Sequence, residues 1–111
     1  MKDKIEEIIS FVAGASEYLK ALEVKMTGYP FDVDSSVYGG GKYYVHWNQK
    51  DCSFFRQDLE QGCSRRVREL PIDERLEAIS MIPEIFKSAC DEVDEKLAKY
   101  KKLLETINEN K

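Results

Sequence analysis

An unbroken heptad register runs through the C-terminal third of the chain and limits its possible folds more than any other feature. Ile72, Leu76, Ile79, Pro83, Phe86, Cys90, Val93, Leu97, Tyr100, Leu104 and Ile107 follow one another at steps of four and three. Spacing that averages ~3.5 residues puts all of these side chains on one stripe of an α-helix, which another element has to cover.

A shorter stripe near the N-terminus repeats the pattern with Ile5, Ile8, Val12, Ala15, Leu19, Leu22 and Met26. At a rise of ~1.5 Å per residue the two stripes extend about 35 and about 54 Å. Neither fits inside a compact domain with a radius of gyration of ~13 Å. The expected fold class is therefore mostly α: an elongated helical hairpin or bundle with coiled-coil-like seams. The two stripes cover each other or are completed by a second copy, and a short β or irregular aromatic-rich insert lies between them.

The 111 residues suffice for one domain with a modest core. Charged residues make up 34% and apolar residues 42%, which suits solvated helices with narrow apolar stripes and is too apolar for a disordered chain. No apolar run approaches the ~20 residues needed to cross a bilayer. Lys2 and Lys4 are followed by Glu6 and Glu7 where a signal peptide would have its apolar core. A small acidic, cytoplasmic protein without membrane contact is expected.

Cys52, Cys63 and Cys90 are an odd set, too widely spaced for a disulfide framework or for the close pairs of a zinc site. They are read as reduced core residues, with Cys63 and Cys90 acting as small hydrophobes. No spacing of carboxylates or histidine suggests a metal site, and no cofactor is expected. The sequence Gly39-Gly40-Gly41-Lys42 fails as a phosphate loop, since Tyr43 follows the lysine where Ser or Thr is needed and a strand follows where a helix should begin.

Four segments follow from these patterns. A first helix is expected over 3–27, with Asp3 as its cap, Gly28 supplying a left-handed closing residue and Pro30 preventing resumption. Within it Gly14 is either a tolerated imperfection or a point of close helix approach. Residues 28–50 read as an aromatic, glycine-rich loop and a short strand at 42–47, which has to pair near Tyr38, with 53–57, or with another chain. A second helix is expected over 51–70, with Cys52, Phe55, Leu59, Cys63, Val67 and Leu70 on one face. The long helix covers 72–107 and is kinked or broken near Pro83, which removes a backbone hydrogen bond; the tail from Asn108 onward should fray.

Charge is segregated: residues 35–69 carry six basic and four acidic side chains, whereas both flanking segments are acidic. The middle also holds eight of the aromatic residues, between Tyr29 and Phe55. These rings either plug the end of a bundle or form a contact surface. The arginines at the end of 51–70 are explained by the helix dipole, or they join Tyr43, Tyr44, His46, Trp47, Arg56, Arg65, Arg66 and Arg68 into a basic aromatic patch that contacts phosphates and bases.

No catalytic signature is present, because His46 is the only histidine and has no local nucleophile partner. The expected function is protein–protein interaction, as an adaptor, assembly factor or inhibitor, through Phe86, Val93, Leu97, Tyr100 and Leu104. A homodimer is expected first and another protein partner next. Single-stranded nucleic-acid binding through 42–68 is the alternative.

Overall fold

The computed structural model describes residues 2–31, 33 and 35–109 and contains two long helices with a four-stranded antiparallel sheet between them in sequence. Helix α1 spans Lys2–Thr27, strands β1 to β4 span Ser36–Gly39, Tyr43–Asn48, Ser53–Asp58 and Ser64–Arg66, a single 3-10 turn covers Val67–Glu69, and α2 spans Ile72–Glu109. The strands form a meander in the order β1-β2-β3-β4. This overturns the expectation of an all-α hairpin or bundle with coiled-coil seams, and it replaces the helix expected over 51–70.

The physical reason lies in residues 58–62. Asp58 Oδ1 accepts the main-chain N–H groups of Glu60 and Gln61 at 3.0 and 3.2 Å, and Gly62 adopts φ +69°. An Asp-led turn closed by a glycine reverses the chain where a helix would have continued. The strand on its N-terminal side then follows a period of two. Phe54 is fully buried while Phe55 and Gln57 face the other side, in register with His46 and Tyr44.

Strand β2 alternates in the same way, with Tyr43, Val45 and Trp47 buried and Tyr44, His46 and Asn48 partly exposed. It pairs with both β1 and β3. The β1–β2 reversal uses Gly40 and Gly41 at φ +59° and +71°, a conformation that glycine adopts without the Cβ penalty. The triple glycine serves this hairpin turn.

The core lies where the inner sheet face meets the middle of both helical stripes. Leu19, Leu22 and Met26 of α1, and Ala78, Ile79, Ile82, Ile85 and Ala89 of α2, pack with Val45, Trp47, Phe54, Val67 and Leu70. The sheet covers much of what the sequence assigns to helix–helix contact. Phe11 to Tyr18 of α1 lie beside the start of α2, and after α1 has ended Phe31 takes the ammonium of Lys96 over its ring at 4.6 Å. The body measures 72 × 32 × 22 Å.

Three local expectations are also corrected. Helix α2 continues through Pro83 without the expected break, which leaves a kink as the remaining form of that expectation. Gly28 ends α1 but lies outside the positive-φ region. Of the two readings of Gly14 the tolerated imperfection holds, since a Cβ built there meets nothing within 4 Å. All three cysteines are free of disulfides and exposed: Cys52 and Cys63 sit in the connections between strands, and Cys90 is on α2 beside Tyr29. The expected fraying concerns Asn108 and Glu109, which are helical, and Asn110 and Lys111, which lie outside the described residues. Among the described residues no helix is long and apolar enough to cross a membrane.

Candidate interaction surfaces

Each helical stripe is buried only along the part that meets the common core of sheet and helices. Beyond the sheet at one end, Ile5, Ile8, Ile9 and Phe11 of α1 are exposed; at the other end Leu97, Tyr100, Leu103, Leu104 and Ile107 of α2 are exposed, each of the nine at 49% or more. The interface residues expected from sequence therefore divide. Phe86 packs against the core and Val93 is half-buried, whereas Leu97, Tyr100 and Leu104 are open. The α1 stripe leads into an apolar groove of about 450 Å³ lined by Phe11, Gly14, Ala15 and Tyr18 together with Leu76 and Ile79.

The basic aromatic patch expected from sequence is not one surface, because strand alternation sends its members to opposite sides of the sheet. Tyr43, Trp47 and Arg56 point inward. Trp47 packs edge-on against Phe54 at 4.9 Å, and its Nε1 donates to Gln49 Oε1 at 2.8 Å. The Arg56 guanidinium lies 3.9 Å from the Tyr43 ring centre and pairs with Glu74 at 3.3 Å. The Tyr43 hydroxyl donates to Glu77 of α2, and its pKa is pushed up to about 12, first by burial and then by that carboxylate. These residues bond the sheet to α2.

Arg65 and Arg68 are also engaged. Arg68 Nη2 donates to Ser53 Oγ at 3.0 Å, and Arg65 Nη2 donates to the Glu69 carbonyl at 3.4 Å. Arg65 also lines a polar recess of about 200 Å³ with Arg56, Asp58, Cys63 and Glu74.

Tyr44, His46 and Arg66 remain on the outer sheet face, where the register brings two further rings beside them. Tyr38 of β1 is opposite Tyr44, and Phe55 of β3 lies between His46 and Arg66. Ring centres are 5.3 Å apart for Tyr38–Tyr44, 5.4 Å for Tyr44–His46 and 5.9 Å for His46–Phe55, and the Arg66 guanidinium lies 5.6 Å from the Phe55 ring centre. The result is a diagonal aromatic row across three strands that ends in a cation on the fourth. Sequence reasoning missed Tyr38 and Phe55; the period-two alternation of 43–48, extended through two hairpins, carried the signal.

Among the described residues no group of three or more His, Cys, Asp or Glu side chains is placed to hold a metal ion. His46 has Ser36, Phe55 and Tyr44 as its neighbours on the sheet face, and none is a thiol. No protein-family model, curated protein or solved structure matches the chain.

Proposed function

We propose that this chain is a protein-interaction module whose working surfaces are the two exposed helix ends, with a second copy of itself as the first partner. The observation that carries the reading is the set of nine large apolar side chains left open at the two ends. At roughly half exposure they amount to on the order of 800 Å² per copy, the area that a stable interface buries on each partner. Scattered surface hydrophobes need no partner, but stripes in helical register do.

Charge favours joining unlike ends. The start of α1 carries Asp3, Glu6 and Glu7 against Lys2 and Lys4, a balance of -1, whereas α2 from Leu97 to Glu109 carries Lys99, Lys101 and Lys102 against Glu105 and Glu109, a balance of +1. Opposite charges flanking apolar stripes select which helix meets which and suppress the like-end pairing. Three unpaired thiols at the surface fit a reducing compartment, and we place the protein in the cytoplasm on that ground.

Light scattering across a concentration series tests the reading against the chain mass of 12.9 kDa. The wild type is expected to exceed one chain mass. Ile8→Asp and Leu104→Asp, one at each end and both exposed, are expected to restore the monomer while leaving the circular-dichroism spectrum unchanged. A wild-type monomer at all concentrations, or an oligomer indifferent to both substitutions, overturns self-association through these stripes.

A further inference from the structure

From the row of rings on the outer sheet face, we infer a second binding surface, which takes single-stranded nucleic acid. It is independent of the helix ends. Tyr38, Tyr44, His46 and Phe55 present their rings on the side of the sheet away from the helical core, with adjacent centres 5.3 to 5.9 Å apart. Tyr38 is 65% exposed, and the other three are half-buried. A buried core uses aromatic area to exclude water, but a row of rings on the sheet face away from that core leaves aromatic surface against which bases stack.

Electrostatics favour the same ligand. The register puts Ser36, Tyr38, Tyr44, His46, Asn48, Phe55, Gln57, Ser64 and Arg66 on this face, with no Asp or Glu among the described strand residues; Ser53, in the same register, is fully buried and bonded by Arg68. Carboxylates of the sheet lie elsewhere: Asp58 is opposite the inward Tyr43, and Asp51 is in the β2–β3 turn. At the end of the row Arg66 lies over Phe55, and its buried Nε has no hydrogen-bond partner among the described residues. It also pairs loosely with Glu69 at 3.6 Å, an exposed contact that a phosphate can replace. Lys42 and Lys50 are exposed in the turns at either end of β2, so cations border the platform on three sides.

The roles divide by chemistry. Tyr44, His46 and Phe55 stack bases without selecting among them, Tyr38 extends the platform at the β1 edge, and Arg66 takes a backbone phosphate beside the base on Phe55. The neutral hydroxyl and amide groups of Ser36, Gln57 and Ser64 leave room for base edges without repelling the chain. An acidic peptide would satisfy Arg66 and the lysines but would gain little from the flat rings, which distinguishes the two ligands.

The test is fluorescence anisotropy of the full chain with labelled oligothymidylate and oligouridylate of roughly 12 nucleotides, within the span of single-strand sites, at about 50 and about 200 mM salt. Binding is expected at the lower salt and should weaken at the higher. Phe55→Leu and Tyr44→Leu, which keep apolar bulk but remove the ring, should each reduce affinity about tenfold. Arg66→Gln should flatten the salt dependence. Leu104→Asp, at the helix end, should leave affinity unchanged, so this result stands or falls apart from self-association. Unchanged emission from the inward Trp47 confirms that each variant retains the sheet. Absence of binding at low salt, affinity indifferent to both ring substitutions, or equal binding of polyglutamate overturns the inference.

Discussion

Glu23 of α1 accepts the main-chain N–H of Phe54 in β3 at 3.2 Å, and the contact fills a gap that the sheet leaves. Strand β4 ends at Arg66, opposite Phe55, before the chain turns into the 3-10 segment, so β4 provides no residue opposite Phe54. A helix side chain completes the strand ladder at a fully buried residue. Arg68, from the same 3-10 segment, bonds Ser53 next door and lends positive charge to the carboxylate.

Replacing Glu23 by Ala therefore strands a buried N–H, at an expected cost of about 1–3 kcal/mol. Gln keeps an acceptor and should be far milder, with a sign that depends on pH. Burial raises the pKa of Glu23 above the ordinary 4.5, the Phe54 N–H and Arg68 opposing in part. The folded state then holds the proton more firmly than the unfolded chain, so this stability is present below the ordinary value and is lost as pH rises through the folded one. Urea titrations from about pH 4 to 7 should show Glu23→Gln gaining on the wild type as pH increases. A difference that is constant or reversed contradicts this assignment.

Tyr43 makes the corresponding prediction at alkaline pH. Its hydroxyl bonds Glu77 and touches Met81 Sδ at 3.5 Å, while burial and the carboxylate raise its pKa to about 12. The native state keeps this proton after the unfolded chain has begun to lose it, so stability should decline as pH climbs from the ordinary 10 towards 12. Tyr43→Phe is expected to cost about 1 kcal/mol near neutrality and to lose less than the wild type on going to high pH. Trp47 fluorescence during denaturant unfolding at the two pH values checks both effects. An identical alkaline decline in the variant assigns the loss to other groups.

Two glycines respond oppositely to the same substitution. The Tyr43 ring lies directly over Gly39, its cross-strand partner, and a Cβ there collides with the ring. Gly39→Ala should destabilise by about 1–3 kcal/mol, as overpacking does. Around Gly14 there is open space within 4 Å, and the residue is in mid-helix. Gly14→Ala should stabilise by up to about 1 kcal/mol. Thermal melts of the pair give the result directly, and equal signs would contradict the placement of one of them.

The helices were legible because their stripes are long: a register maintained over many turns has no strand reading. The sheet was half legible. Residues 43–48 alternate visibly, but Phe54 and Phe55 are adjacent aromatics that fit either period, and Cys52, Phe55, Leu59, Cys63, Val67 and Leu70 coincide with a helical step. The Asp58–Gly62 turn breaks that step, and a turn governed by one side-chain oxygen leaves little trace in hydrophobic spacing. The aromatic surface depended on the same choice. Once 53–58 is a strand, Phe55 joins His46 and Arg66 through register, and Arg56 leaves for the interior.

Pro83 provides a last test, because α2 keeps its helical path through it. A proline nitrogen carries no hydrogen, so the carbonyl four residues back, that of Ile79, loses its intrahelical donor and the ring crowds the preceding turn. Pro83 itself is exposed while Ile79, Ile82 and Ile85 around it are buried. The neighbours thus hold the segment helical against its local preference, through burial that outweighs a cost of about 3 kcal/mol. Pro83→Ala removes the cost and leaves the packing, so stability should rise by about 1–3 kcal/mol, at roughly 4–8 °C of melting temperature per kcal/mol in a chain of this size. A lower melting temperature would mean that the bend imposed by the ring is what fits the Ile79–Ile85 face to the sheet.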